Sequence, residues 1–232
     1  MHAFVVGATG LVGREVVAAL RARDIETVAH VRPDSPRLAE WQQRFAALGA
    51  ETDATPFEPE AFAATFQRRP PRLVFALLGT TRKRMAREGG DYQSIDFGLT
   101  RLAIEAAAAT ELARKHIDFR FVYLSSIGVD PTTRNPYLKA RADAEACLKS
   151  SGLPHTIARP SFILGDRDET RPGEAIAGAV ARAALGLLGA LGARRLRDTY
   201  TSTTAPVLAE ALVRLSLNPA WAGKLAEGAD LR

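Results

Sequence analysis

The chain has 232 residues, 31 of them Lys or Arg and 26 Asp or Glu, with a single cysteine, which fits one sizeable α/β domain. The lone Cys147 excludes an internal disulfide, and a domain this long buries enough surface to need no disulfide or metal staple. The net charge of +5 is carried by dispersed arginines, without the interleaved aromatics of a single-strand binder, so no nucleic-acid partner is expected. One cysteine suits a reducing compartment, and no basic-then-apolar leader precedes the first apolar run; a cytoplasmic location is expected.

Strand and helix signals alternate along the chain. His2–Val6 reads as an apolar strand, and Leu11–Ala22 as a helix with Val12, Val16 and Leu20 on one face. Thr27–Val31 is a second strand. The turn Pro33-Asp34-Ser35-Pro36 places Asp34 or Ser35 to cap a helix over Leu38–Leu48. A weak third strand falls near Thr52–Phe57, a helix over Glu60–Arg68, and a continuous apolar strand over Leu73–Leu78, the type buried on both faces. The alanine-rich segment Asp96–Leu112 is helical, Phe119–Leu124 a strand, Tyr137–Lys149 a helix and His155–Ala158 a strand. The tail reads as helices over Ala175–Leu191 and Pro206–Leu217.

The apolar run Ala175–Gly192 has the length of a membrane span, but Arg182 sits inside it. A charge at mid-span costs about 2.5–3.5 kcal/mol on insertion scales, so a packed or interfacial helix is expected, not stable membrane insertion. That helix can bury itself on its own sheet or on a second copy, which leaves a homodimer open.

Alternation over the first 160 or so residues predicts a doubly wound, mainly parallel Rossmann-type sheet with helices on both faces and a small helical C-terminal part. One domain is expected over 1–232, with residues from about 161 forming the substrate side. Ligands of such sheets lie at the carboxyl ends of the strands. There, Gly7-Ala8-Thr9-Gly10-Leu11-Val12-Gly13 follows the first strand and opens the first helix. The three glycines permit a tight turn, close approach to a pyrophosphate and close helix–strand packing, and the helix N-terminus offers N–H groups to phosphate. Selection of NAD places a carboxylate at the end of the second strand. Here that strand ends Ala29-His30-Val31-Arg32, a cation where a 2′-phosphate would lie, with Arg14 close by in sequence. NADP(H) is the expected cofactor.

The turn, Leu78-Gly79-Thr80-Thr81-Arg82, Tyr123 to Asp130 with its Ser125-Ser126 pair, Tyr137, and the run from Arg159-Pro160 through Asp166–Glu174 together resemble the atypical short-chain dehydrogenase/reductase superfamily. Within it they are most similar to the Tat-interacting-protein oxidoreductase group and its bacterial relatives, and the resemblance spans nearly the whole chain. It implies that Thr9, Gly10, Leu11 and Val12 line the pyrophosphate and ribose and that Arg32 takes the 2′-phosphate. It places Leu78 and Gly79 on the adenosine side and Ile163 near the nicotinamide, and has Arg171 reach the cofactor from its loop. Ser126 and Tyr137 match the catalytic serine and tyrosine.

In that superfamily a lysine four residues after the tyrosine assists it; here that position is Arg141. Lys139 cannot substitute, because two residues turn a helix by about 200°. A cation about 5 Å from the phenol, at an effective dielectric of about 20, is worth roughly 3 kcal/mol. Arg141 can supply that charge and can donate to a cofactor ribose, but it cannot release a proton. The residues therefore point first to an NADP(H)-dependent oxidoreductase acting on a small carbonyl, alcohol or quinone. The alternative is a non-catalytic NADP(H)-binding sensor. A sugar-nucleotide epimerase or dehydratase is disfavoured, since only about 70 residues follow Arg159-Pro160.

Overall fold

In the computed structural model, residues 1–80, 85–86, 89–110, 118–164 and 202–232 are described. The apolar runs form strands β1 (His2–Val6), β2 (Glu26–His30), β3 (Glu51–Asp53), β4 (Leu73–Ala76), β5 (Arg120–Leu124) and β6 (His155–Arg159). A seventh strand, Lys224–Glu227, joins the edge beside β6. All neighbours pair in parallel, in the order β3, β2, β1, β4, β5, β6 and this last strand. Numbering in chain order, it is β9, because two short strands, β7 (Ile163–Leu164) and β8 (Thr203–Thr204), pair with each other in a separate two-stranded sheet.

Side chains alternate across the sheet, so each strand feeds two cores. From β1, Ala3 and Val5 enter one core with α1 (Leu11–Arg21), α2 (Leu38–Ala47) and α6 (Ala205–Leu217). Phe4 and Val6 enter the other, with α3 (Pro59–Arg68), α4 (Leu99–Ala108) and α5 (Pro136–Ser150). Burial on both faces explains why β1, β4 and β5 are buried along their whole length.

Several boundaries differ from the sequence reading, each for a local reason. β3 stops at Asp53, because the Asp53 carboxylate turns back to accept from the Thr55 N–H (2.9 Å) and hydroxyl (3.0 Å). The cap position of α2 is Arg37, with no side-chain cap; Ser35 reaches only the Arg37 N–H, at 3.4 Å. The expected helix from Asp96 begins instead as a π-helix, Gln93–Gly98, that leads into α4. β9 carries too few apolar residues to read as a strand; Ala226 is its buried position. The runs 166–174 and 175–191 and the arginines 82, 84 and 171 lie outside the described residues. No helix among the described residues is long and apolar enough to cross a membrane.

Candidate functional site

The sheet order changes direction at β1, with β2 on one side and β4 on the other. The carboxyl ends of β1 and β4 therefore open the crevice where ligands of such sheets lie. Gly7 sits there with φ +82°, and a Cβ on it would stand 2.8 Å from the Leu77 carbonyl. A Cβ on Gly13 would come within 2.1 Å of the Gly7 carbonyl oxygen. The turn is thus a cradle that only glycine permits at these two points. Helix α1 opens from it with no side-chain cap and no acidic residue in its first turn, leaving its N–H groups and partial positive charge for an anion. These features fit a dinucleotide pyrophosphate. Thr9 and Leu11 are half-buried beside the cradle, Gly10 is exposed, and Val12 is buried in the core.

At the end of β2, Arg32 is half-buried, with the exposed Asp34 carboxylate 3.7 Å away. The neighbouring Asp53 carboxylate is taken up by Thr55. His30 is buried beneath, its Nε2 2.7 Å from the Thr55 carbonyl, and burial lowers its pKa. Arg14 lies at 3.5 Å from Glu15 on α1. Leu78 is half-buried and Gly79 exposed past the end of β4, and Ile163 is half-buried in β7.

Two serines follow β5, and their surroundings separate them. Ser125 is buried and donates to Glu145 at 2.6 Å. Burial pushes the Glu145 carboxyl up, but the donors on Arg159 and Ser125 outweigh it and hold the carboxyl below its usual range. Ser126 is half-buried and holds a 3.3 Å contact to the Ile127 carbonyl. Tyr137 lies in the first turn of α5, capped by Asn135, whose Oδ1 accepts from the Tyr137 and Leu138 N–H groups. Its half-buried ring meets the Tyr92 ring edge-on at 5.4 Å. Lys139 is exposed and paired with Asp143 at 2.6 Å.

Arg141 is 5% exposed, with its guanidinium carbon 5.2 Å from the centroid of the Tyr137 ring. Nη1 donates to the Leu124 carbonyl (2.7 Å) and the Tyr123 hydroxyl (3.3 Å). Nη2 donates to the Leu78 carbonyl (2.9 Å) and to Asp96 Oδ1 (2.8 Å). Its Nε is buried without a hydrogen-bond partner among the described residues. Asp96 is fully buried and accepts from the Thr80 N–H on its other oxygen, at 3.1 Å. Burial dominates and raises the Asp96 carboxyl above its ordinary value, although Arg141 and the Thr80 N–H, one on each oxygen, pull it down. Burial opposes the Arg141 charge, but Tyr123, Tyr137 and Asp96 outweigh it and raise its pKa. Burial also pushes Tyr123 up to about 12, so that phenol stays protonated. The sequence reading missed Asp96, Thr80 and Tyr92. A lone carboxylate at the head of an alanine-rich helix was the one signal of Asp96.

A parallel sheet with a glycine cradle at its switch point defines a dinucleotide-binding Rossmann protein. The chain belongs to the NAD(P)H-binding family, whose pattern it matches over residues 7–186. Its features fit the atypical short-chain dehydrogenase/reductase type. It is 30% identical over 217 residues to "Protein fmp52-1, mitochondrial" of Aspergillus terreus, spanning 91% of this chain and 85% of that one. Its fold is that of a putative NAD-dependent epimerase/dehydratase from Bacillus halodurans (TM-score 0.67, 21% identity, 97% of this chain and 92% of that one). It is also that of the Citrobacter sp. triphenylmethane reductase complexed with NADP(H) (TM-score 0.64, 15% identity, 98% and 69%). The cytoplasmic expectation is corrected by the mitochondrial name of the Aspergillus terreus relative. A lone cysteine fits any compartment that keeps thiols reduced, so it does not single out the cytoplasm.

Proposed function

We propose that the protein is an NADP(H)-dependent oxidoreductase acting on a small carbonyl, alcohol or quinone. The observation that carries this reading is the half-buried Tyr137 ring set against the charged, buried Arg141 at the carboxyl end of the sheet. A bound reduced nicotinamide supplies a hydride, and its oxidised form accepts one. In reduction, the Tyr137 hydroxyl gives its proton to the carbonyl oxygen as the carbonyl carbon takes the hydride. The product alcohol carries both hydrogens, and water returns a proton to the phenolate. Ser126 orients the substrate oxygen, and Ser125 is the structural member of the pair. Thr9, Gly10, Leu11 and Val12 hold the pyrophosphate and ribose, Leu78 and Gly79 the adenosine side, and Ile163 the nicotinamide side. Residues from about 161 form the substrate side of a single domain.

Arg32 selects NADP(H). The Asp53 carboxylate next to it is held by Thr55, and the fold is shared with a reductase complexed with NADP(H). Arg32→Ala is expected to weaken NADP(H) by about 10- to 100-fold, the worth of a charge-assisted bond, with NAD(H) little changed. Equal losses for both cofactors would remove the 2′-phosphate role.

A second reading is favoured by Arg141 itself. Four of its donors are spent inside the protein, which suits a non-catalytic NADP(H) sensor. A screen of carbonyls and quinones with NADPH, run beside Tyr137→Phe, separates the two. Turnover that the substitution abolishes supports the enzyme; tight NADPH binding without turnover supports the sensor.

A further inference from the structure

We propose that Arg141 is a positioning residue for the dinucleotide: its guanidinium, packed against Gly79 where a side chain would stand, is the strut that holds residues 77–80 against the glycine cradle. The inference rests on the reading of this crevice as the cofactor site, and not on turnover.

Residues 77–80 leave β4 at the crevice and are held from two sides. On one side lies the cradle. The Leu77 N–H donates to the Val6 carbonyl at 2.9 Å. A Cβ on Gly7 would stand 2.8 Å from the Leu77 carbonyl and 3.0 Å from the Leu78 nitrogen, so the two backbones touch with no side chain between them. On the other side lies Arg141. Its Nη2 donates to the Leu78 carbonyl at 2.9 Å and to Asp96 Oδ1 at 2.8 Å. The other Asp96 oxygen returns to the segment, accepting from the Thr80 N–H at 3.1 Å. Between these two grips, a Cβ on Gly79 would stand 2.9 Å from the same Nη2. Gly79 is not among the glycines with positive φ, so its backbone suits any residue. The next atom, Asp96 Oδ1, is 3.8 Å away, an ordinary contact. The Arg141 tip is therefore what keeps a side chain out of position 79.

The end of a free arginine yields to an incoming methyl group at little cost. This one is tethered at four points: Nη1 to the Leu124 carbonyl and the Tyr123 hydroxyl, Nη2 to the Leu78 carbonyl and Asp96. A methyl group at position 79 falls about 0.5 Å short of ordinary van der Waals contact with Nη2. Moving Nη2 that far takes its bonds to or past the usual limit of about 3.2 Å. Moving the segment instead drives it into the cradle at Gly7. By either route the strain reaches the dinucleotide site, so Arg141 serves the cofactor through the backbone that it supports.

The test is the calorimetric affinity of Gly79→Ala, Arg141→Lys and the double variant for NADPH or NADH, whichever the unaltered protein binds more tightly. Lysine keeps the charge but is shorter and has no fork. Gly79→Ala is expected to weaken binding by about 10-fold or more beside Arg141, and by less than about 2-fold in the Arg141→Lys background, where the tip is withdrawn. That coupling is the mark of the contact, because independent defects multiply. Equal losses in both backgrounds, or an unmoved affinity in Gly79→Ala, overturn the proposal. Should Gly79→Ala alone fail to fold, a double variant that folds and binds upholds it, and one that fails as well overturns it. The same proteins are then titrated with the matching fragment that lacks nicotinamide, ADP-ribose or its 2′-phosphate. On the present reading the cradle and residues 77–80 face the pyrophosphate and adenosine, so the fragment is expected to lose affinity by the same factor, within about 3-fold. A loss confined to the intact dinucleotide would put the Arg141 effect at the nicotinamide end and overturn the strut. Because neither titration involves turnover, coupling seen in a protein that reduces no substrate would remove the oxidoreductase reading and leave the strut standing.

Discussion

Replacing Arg141 with methionine keeps most of the side-chain volume but removes the partner of a fully buried carboxylate. At 2.8 Å and an effective dielectric near 20, the attraction lost is about 6 kcal/mol before desolvation is counted. Desolvation offsets part of the pair's worth in the native state, and breaking a buried pair on one side costs about 3–5 kcal/mol. The Leu78 and Leu124 carbonyls also lose their guanidinium donor, at about 1 kcal/mol each. For a chain of this size, 1 kcal/mol moves Tm by about 2–4 °C, so Arg141→Met is expected to lower Tm by about 8 °C or more. The double variant Asp96→Asn/Arg141→Met removes both charges and leaves the Thr80 N–H a side-chain oxygen to bond. It is expected to regain at least about 2 kcal/mol over Arg141→Met. Urea and thermal denaturation of the four proteins close the cycle. A drop below about 3 °C for Arg141→Met, or losses that simply add in the double variant, would refute the account of Arg141 as a buried node.

Gly13→Ala would drive a methyl group to 2.1 Å from the Gly7 carbonyl oxygen and 2.8 Å from Ala8 Cα; neither can yield without parting α1 from β1. NADPH affinity should fall by more than about 100-fold, and unchanged affinity by calorimetry would remove the cradle argument. Phe66→Ala empties a fully buried position where the ring packs 4.9 Å from Phe4; a loss of about 3–5 kcal/mol in urea denaturation is expected, and a loss under about 1 kcal/mol would mean the core had collapsed around the gap. The lowered pKa of His30 means the folded state binds its proton later than the unfolded chain does. The stability this confers is fully present above about pH 6.5 and is lost as pH falls below it, by up to about 1.4 kcal/mol per unit. His2 acts in the same direction. Denaturation between about pH 7 and pH 5 should show a shallower acid loss for His30→Gln than for the unaltered protein, and identical slopes would exclude His30 as a source.

The parts legible in the sequence share one property: their signal is local. Ala3 and Val5 against Phe4 and Val6 announce a strand buried on both faces, and they lie in the two cores on opposite sides of the sheet. The Gly7–Gly13 turn is local as well, since its spacing and its place after a strand are both visible in the chain. What stayed hidden depends on partners far apart. Asp96 reads as an ordinary polar residue at a helix start; its burial follows from Arg141, 45 residues on. Glu145 looks like a surface residue until Ser125, just past β5, and Arg159 of β6 meet it. β9 escaped because an edge strand with one buried alanine carries no hydrophobic pattern, only a parallel ladder to β6.

An arginine at position 141, where the resembled superfamily has a lysine, differs in more than its side chain's shape. An ammonium is a compact charge on a flexible stem and can give up a proton, whereas a guanidinium is a planar fork that must be matched on several sides and keeps its protons. This fold supplies the match. The carbonyls at Leu78 and Leu124 come from the ends of two adjacent strands, and the π-helix brings in the carboxylate. Once so held, the residue cannot swing toward a ligand without breaking four hydrogen bonds, among them one to a buried carboxylate. The cation is therefore fixed with its guanidinium carbon 5.2 Å from the Tyr137 ring centroid and its Nη2 on the Asp96 carboxylate. On the proposed reading, a proton taken from Tyr137 is restored from the solvent side of the ring. This sets a condition that a relay lysine would lift: turnover should depend on water reaching the half-buried Tyr137, and a bulky substrate that seals the ring from solvent should bind well and turn over slowly.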